Sequence, residues 1–416
     1  MLRCGLLGGR LGHSYSPAIH AMLGDYEYRL CEKTPEEVGR FLTGGDFDGL
    51  NVTIPYKKTA MPFCAELSET ARRVGCVNTI VRRPDGTLFG DNTDVFGFSQ
   101  MVLHSGVPVQ GRKALVFGSG GASGTACDVL RRMRAEVVQI SRSGEDNYEN
   151  LERHADAQIL VNTTPLGMYP NNGTAPVTLE RFPDCALVLD VVYNPDKTEL
   201  ILRAEEAGVP VAVGGLEMLV AQAVYAAEYF LDRKFEDAPA EIRRITAALR
   251  RDTLNIALIG MPSSGKTTLG KLLAKQLGRT FVDLDDAIVK ADGRSIPDIF
   301  AAEGEDGFRA KETEQTARFG KENRQLLSCG GGVVKRPENL RALHQNGVVL
   351  FIDRPVEALA VGGSRPLSSS MEALRTMEAQ RRPLYRAAAD AVVPNTGTLE
   401  DALRAAMEAL DEIFDS

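Results

Sequence analysis

Four times along this chain a short apolar run stops at small or glycine-rich turn residues and gives way to helical periodicity: at 114–121, 158–165, 186–193 and 255–266. Apolar runs that alternate with helices imply parallel, doubly wound sheets, so the fold class is α/β. At 416 residues the chain exceeds what one hydrophobic core organises, which points to two or three domains. An apolar-periodic helix around Glu241–Leu249 ends in Arg250, Arg251 and Asp252, just before a strand beginning near Leu254, and places the main boundary between 1–252 and 253–416. Within the first part, residues 1–105 form one lobe to which 215–250 return, and 106–214 form a Rossmann-like lobe. Only a few linker residues separate the two parts.

Composition narrows the partners. Hydrophobic residues at 44% and charged residues at 25% are those of an ordinary globular protein. With a net charge of −8 and no block of five or more Lys/Arg, nothing advertises a nucleic-acid or membrane surface, so an anionic ligand must be held locally. Seven cysteines, an odd number without a C-x-x-C pair, fit reduced thiols in a cytoplasm better than a disulfide framework. The N-terminal apolar run is too short for a signal peptide and no 18-residue apolar stretch occurs, so the expected location is cytoplasmic. An oligomer is possible but not readable.

The run ALVF at 114–117 enters a turn containing Gly118, Gly120, Gly121 and Ala122, then a helix. Glycines let backbone approach a pyrophosphate whose charge the helix N-terminus favours. Ser123 stands where a third glycine is usual, and a bland strand–helix turn has the same look. The next strand, AEVVQI, ends in Ser141, Arg142 and Ser143. An NAD site places an acidic residue there; an arginine flanked by hydroxyls suits the 2′-phosphate of NADP, although a solvated surface arginine is the plainer reading without the glycine turn.

Gly260 through Thr267 fits G-x-x-x-x-G-K-[ST] between the strand NIALI and a helix, the strongest single motif in the chain. Gly260, Ser263, Ser264, Gly265, Lys266, Thr267 and Thr268 would cradle the phosphates of ATP, with Lys266 on the β- and γ-phosphates and Thr267 on Mg²⁺.

Further motifs carry a closer likeness. Around His13, Ser14, Ser16, Asn51, Thr53, Lys57, Asn78, Asp91, Asp94, Asn162 and Met168, and over Gly215–Gln222, residues 1–250 resemble shikimate dehydrogenases. The resemblance implies NADPH-dependent reduction of 3-dehydroshikimate to shikimate. Lys57 and Asp94 would be the catalytic pair, since the alkoxide formed on hydride addition needs a proton; which of the two moves it stays open. Ser14 and Ser16 would hold the substrate carboxylate, Thr53, Asn78 and Gln222 its ring hydroxyls, and Gly215 the cofactor. Tyr193 is as readily core as substrate lining.

Residues 254 to about 410 resemble shikimate kinases at Asp283, Asp285, Arg309, Glu312, Gly330–Gly332, Arg365 and Arg381. They imply a nucleoside-monophosphate-kinase-like P-loop domain that phosphorylates shikimate to shikimate 3-phosphate. Asp283 would join the Mg²⁺ shell, Asp285 orient the attacking hydroxyl, and Arg309 and Arg381 bind the carboxylate. Gly331 and Gly332 would lie against the ligand, Glu312 would orient Arg309 or a ring hydroxyl, and Arg365 would close a lid. Two departures, Pro262-Ser263-Ser264 in the P-loop and a short segment after Arg365, bear on ATP affinity and lid movement rather than on reaction type. A quinate-active dehydrogenase, a kinase for another polyol acid and a ligand-sensing regulator are the alternatives.

Overall fold

Parallel pairing accounts for the apolar runs but only for part of the first hundred residues. The computed structural model describes residues 1–12, 14–360 and 370–415. It divides into one unit of Met1–Asn194 with Thr198–Leu249 and a second of Pro195–Lys197 with Arg250–Ser416. The helix Ala238–Thr253 carries Arg250, Arg251 and Asp252 in its last turn, as expected, leaving only Leu254 before the strand that begins at Asn255. They sit on its polar side, while Ile242, Ile245 and Leu249 are buried.

The first sheet contains β1 (Arg3–Gly8), β2 (Glu27–Glu32), β3 (Gly49–Val52), β4 (Glu66–Leu67), β5 (Thr79–Arg82) and β6 (Leu88–Asp91), in the order β2-β1-β3-β5-β6-β4. Its β3–β5 and β5–β6 pairs are antiparallel, so the parallel pairing expected of the apolar runs from residue 114 onward does not extend to the whole of this sheet. For β5–β6 the physical reason is connection length: the two are joined by a tight turn around Gly86, φ +85°, too short for a parallel crossover. Leu7, Leu50, Val52 and Ile80 pack under this sheet, and the helix Leu216–Leu231 returns to it through Ala226 and Phe230.

Five parallel strands make the second sheet: β7 (Lys113–Phe117), β8 (Glu136–Ile140), β9 (Ile159–Asn162), β10 (Leu187–Asp190) and β11 (Val211–Val213), ordered β11-β10-β9-β7-β8. Ala114 through Phe117 are completely buried because helices or loops cover both faces. The order reverses beside β7, and in such sheets ligands bind outside the carboxyl ends of the strands at that switch.

The second unit holds β12 (Asn255–Ile259), β13 (Thr280–Asp283), β14 (Gln325–Ser328), β15 (Gly347–Asp353) and β16 (Ala391–Pro394), all parallel in the order β13-β14-β12-β15-β16. Its own cores lie on the two faces, one around Phe351 and Tyr385, the other around Leu258, Leu273 and Leu410. The segment Ile296–Gly320 is two helices that meet at Gly304, where φ of +70° breaks the helical path. Among the described residues no helix is long and apolar enough to cross a membrane.

Candidate active sites

In the first unit the loop after β3 and the start of the helix Asp94–His104 bring Lys57 and Asp94 together. Lys57 Nζ donates to Asp94 Oδ2 at 2.5 Å, and both side chains are largely withdrawn from solvent. Asn78 holds the other carboxylate oxygen, with Nδ2 2.9 Å from Asp94 Oδ1 and 3.2 Å from Gln222 Oε1. Gln222 reaches this point from the helix Leu216–Leu231, where its own amide donates to Leu219 O at 2.8 Å. Thr53 sits half-buried on the loop after β3, its backbone N–H bonded to Leu7 O. Ser14 and Ser16 form a local turn in which the Ser16 N–H donates to Ser14 Oγ at 3.2 Å. Tyr193 packs its ring 5.3 Å from that of Tyr15, and burial pushes its phenol pKa up. His13 lies outside the described residues.

The nucleotide turn follows β7. Gly118 has φ +125°, and a Cβ there would meet Thr163 Oγ1 at 2.6 Å, so only glycine suits both conformation and space. Gly120 caps the helix Gly121–Arg132, whose first turn includes Ala122. Ser123, in the third-glycine position, is fully buried and donates to Gly118 O at 2.8 Å. It also accepts from Gln139 Nε2 at 2.7 Å, so this serine ties the turn to β8. A Cβ at Gly121 would lie 3.5 Å from Cys76 Sγ and 3.7 Å from Lys57 Cδ, which sets the glycine turn beside the Lys57–Asp94 pair. Ser141, Arg142 and Ser143 follow β8 directly, with Arg142 exposed. Gly215 begins the helix Leu216–Leu231 where a side chain would overlap the backbone oxygen of Val191.

At the ends of β9 and β10, Asp190 is buried and accepts from Asn162 Nδ2 at 3.0 Å, Thr198 Oγ1 at 2.6 Å and the Val192 N–H at 3.0 Å. Burial pushes its pKa up to about 6, against the pull of Thr198, Asn162 and the Val192 N–H.

In the second unit the P-loop follows β12. Gly260 and Gly265 have φ of +144° and +95°, and Ser263 adopts +63°, a conformation an L side chain enters at some cost. Lys266 Nζ donates to Gly260 O at 3.0 Å and to Met261 O at 2.8 Å, and Ser264 is buried while Thr268 is exposed. Thr267 Oγ1 donates to Asp283 Oδ2 at 2.9 Å. Asp283 also caps the helix Leu284–Asp292 by accepting the Asp285 N–H at 3.1 Å. A hydroxyl and a carboxylate are hard oxygen donors of the kind Mg²⁺ takes, with phosphate and water completing its shell. Among the described residues no group of three or more His, Cys, Asp or Glu could hold a metal.

Arg309 is buried and its Nη1 donates to Glu312 Oε2 at 2.7 Å. Burial opposes its charge, but Glu312 and Glu305 outweigh that and hold its pKa above the usual value. Burial also raises the Glu312 pKa, against Arg309. Gly330 is flanked by carboxylates: a Cβ there would meet Glu312 Oε1 at 2.7 Å and Asp285 Oδ1 at 2.9 Å. Gly331 accepts Arg381 Nη1 at 2.8 Å through its carbonyl and faces Pro262. At Gly332 a Cβ would overlap the Arg309 guanidinium, so this glycine is needed by the protein's own arginine whatever the ligand requires. Arg365 lies outside the described residues.

Several site neighbours escaped the sequence reading. Tyr28 donates to Asn51 Oδ1 at 2.7 Å and stacks on buried His20, with ring centroids 3.9 Å apart. Asp91 accepts from Tyr229 at 2.6 Å and from the Ser68 hydroxyl. Ser328 Oγ is 3.2 Å from Thr267 Oγ1, and Asn395 donates to Ser264 O at 2.8 Å. Asn51 and Asp91 stood inside the motifs, the signal that could have found their partners; Asn395 offered none. A cavity of about 500 Å³ is bounded by Glu305, Lys335, Met377, Gln380 and Arg381. Another of about 380 Å³, bounded by Tyr148, Pro176, Arg181 and Arg203, includes no sequence-predicted site residue.

Comparison with known proteins gives matching findings for both units. The family model described as shikimate dehydrogenase substrate binding domain matches residues 6–80, and the one described as shikimate kinase matches residues 262–412. Shikimate dehydrogenase (NADP(+)) of Shouchella clausii is 33% identical over 257 residues, covering 55% of this chain and 93% of that protein. The Methanosarcina acetivorans protein of the same name is 35% identical over 272 residues, covering 58% and 96%. Among solved structures, shikimate 5-dehydrogenase from Thermus thermophilus in complex with NADP(H) and shikimate is 30% identical. Its TM-score is 0.54, with 60% of this chain and 99% of that one covered. A chorismate mutase/shikimate 5-dehydrogenase fusion protein from Clostridium acetobutylicum is 32% identical with a TM-score of 0.56, covering 60% and 97%.

Proposed function

The chain belongs to the shikimate dehydrogenase family and continues into a shikimate kinase domain, and from that premise we propose how its residues carry two consecutive steps of the shikimate pathway. It is a bifunctional enzyme that reduces 3-dehydroshikimate with NADPH and phosphorylates the resulting shikimate with ATP and Mg²⁺. The domains follow the same division, 1–252 and 253–416, with 106–214 as the NADP lobe. Its partners are small molecules, and its free cysteines suit the cytoplasm.

One observation carries the first step: the 2.5 Å Lys57–Asp94 pair stands beside Gly121 at the nucleotide turn. NADPH, when bound along Gly118–Ala122 with its 2′-phosphate at Arg142, supplies the hydride. Ser14 and Ser16 hold the substrate carboxylate, and Thr53, Asn78 and Gln222 orient the ring. As the carbonyl carbon accepts the hydride, the Lys57–Asp94 pair delivers a proton to its oxygen and the ketone becomes a hydroxyl.

The second step is positioning and charge neutralisation. Arg309 and Arg381 bind the carboxylate of shikimate, and Asp285 orients the attacking hydroxyl and takes its proton. Lys266 and the P-loop N–H groups stabilise the transferring phosphoryl as the bond to ADP breaks. Thr267 and Asp283 would hold Mg²⁺, which when bound would neutralise charge on the phosphates.

The test is a reaction with 3-dehydroshikimate, NADPH and Mg-ATP, each cofactor omitted in turn, with products identified by mass spectrometry. Shikimate is expected without ATP, and its phosphate only with both cofactors. Lys57→Ala should abolish NADPH oxidation and spare phosphorylation of added shikimate; Asp285→Asn should do the reverse. Formation of the phosphate by Asp285→Asn at the unmodified rate overturns the role of that carboxylate.

A further inference from the structure

The buried Arg309 guanidinium is contested by two carboxylates. Glu312 takes Nη1 at 2.7 Å, and Glu305, the first residue after the Gly304 break, stands 3.3 Å from Nε. That second contact is long for a charge-assisted hydrogen bond, which normally falls near 2.7–2.9 Å. The same Glu305 oxygen, Oε1, is 2.6 Å from Lys335 Nζ. Lys335 comes from the short helix Val333–Lys335 directly after the glycine run, its N–H bonded to Gly332 O at 3.0 Å. One turn of chain therefore carries both the glycine against which Arg309 lies and the ammonium that draws Glu305 aside. Glu305, Lys335 and Arg381 border one cavity, so the pair faces the space where the second carboxylate-binding arginine opens.

We propose that Lys335 is a positioning residue of the kinase half, which engages Glu305 and so keeps the Nε edge of Arg309 available to the carboxylate of shikimate. The inference rests on Arg309 and Arg381 being the carboxylate-binding pair. Without Lys335, Arg309 is the one cation left paired with the Glu305 carboxylate among the described residues, and Glu305 closes on it, satisfying the guanidinium with a resident anion. The charge balance moves the same way: Arg309 and Lys335 offset Glu305 and Glu312, and loss of Lys335 leaves one negative charge in excess beside an anionic substrate.

Lys335 and Glu305 are partly exposed, so substitution there threatens folding little. The full chain is assayed for phosphorylation of shikimate as Lys335→Met, as Glu305→Gln, as the double variant, and as Arg309→Lys. Lys335→Met is expected to raise the KM for shikimate about tenfold, a coupling usual within one ion-pair network, with kcat, the KM for ATP and NADPH oxidation unchanged. Adding Glu305→Gln should bring the KM back to within about twofold of the unmodified enzyme, because the competing charge is gone. A purely structural role for the pair predicts no such rescue. An unchanged KM in Lys335→Met, or an equal rise in the double variant, overturns the proposal. If Arg309→Lys raises the KM while Lys335→Met does not, the proposal falls alone. If Arg309→Lys leaves the KM unchanged, the carboxylate assignment falls and takes the proposal with it.

Discussion

Gly332 shows how a residue's reason can differ from its motif. Read as sequence, the glycine run at 330–332 suggests backbone lying against a ligand; in the fold, the missing Cβ of Gly332 is where the Arg309 guanidinium rests. Its φ of −107° is open to any residue, so an alanine there is resisted by space and not by conformation. Arg309 has little room to yield, being buried and tied to Glu312. Gly332→Ala is therefore expected to displace the guanidinium, raising the KM for shikimate about tenfold. Overpacking of this kind also costs about 1–3 kcal/mol of stability in the kinase half, read by denaturant unfolding. The KM for ATP, set at the P-loop, should hold. A KM for shikimate unchanged in a stably folded Gly332→Ala variant would show that the guanidinium has a second productive position. Ser123 carries the complementary lesson: a departure from the glycine pattern that a motif reading counts against the site is a buried hydroxyl securing Gly118.

Elements were legible where the local chain dictates them and illegible where distant pairing decides. The strand–glycine–helix units at Gly118 and Gly260 could be read because backbone conformation and phosphate chemistry demand glycine at fixed spacing. The β3–β5 pairing of the mixed first sheet could not, since strands separated by residues 53–78 choose each other in three dimensions. Nor could Asn395, which reaches the P-loop from beyond β16. The ends of β9 and β10 belong to the same class: Asn162 stood in a motif, but its bond to Asp190, which precedes Tyr193, appears only when the strands align. There burial holds the Asp190 pKa at about 6, above the ordinary value of 3.8. The folded state binds the extra proton between those values, so this group's stabilising contribution is full below about pH 4 and is lost as pH rises through about 6. Denaturant unfolding of the first unit at pH 4.5 and 7.5 should show the unmodified protein losing about 2 kcal/mol more than Asp190→Asn over that interval. Equal losses in both proteins would place the proton elsewhere.

At the scale of the whole molecule, the two activities are carried by units with cores of their own. The first is built around the clusters that contain Phe98, Phe117 and Leu50, the second around those that contain Phe351 and Leu258. Neither unit shares these core clusters with the other, and each contains one of the two glycine turns, Gly118–Ala122 in the first and Gly260–Thr267 in the second. A ligand stabilises only the cooperative unit whose native state binds it, by about 2.7 kcal/mol at a hundred times its dissociation constant. Calorimetry of the full chain should therefore show two transitions. NADP⁺ should raise one of them by several degrees and Mg-ADP the other, since units of this size gain roughly 2–4 °C per kcal/mol. Lys57→Ala should leave the Mg-ADP shift intact, because Lys57 stands beside the other nucleotide turn. A single transition that either nucleotide moves by the same amount would mean that the halves unfold as one, and the separability expected of Lys57→Ala and Asp285→Asn would then need a kinetic explanation, not a structural one.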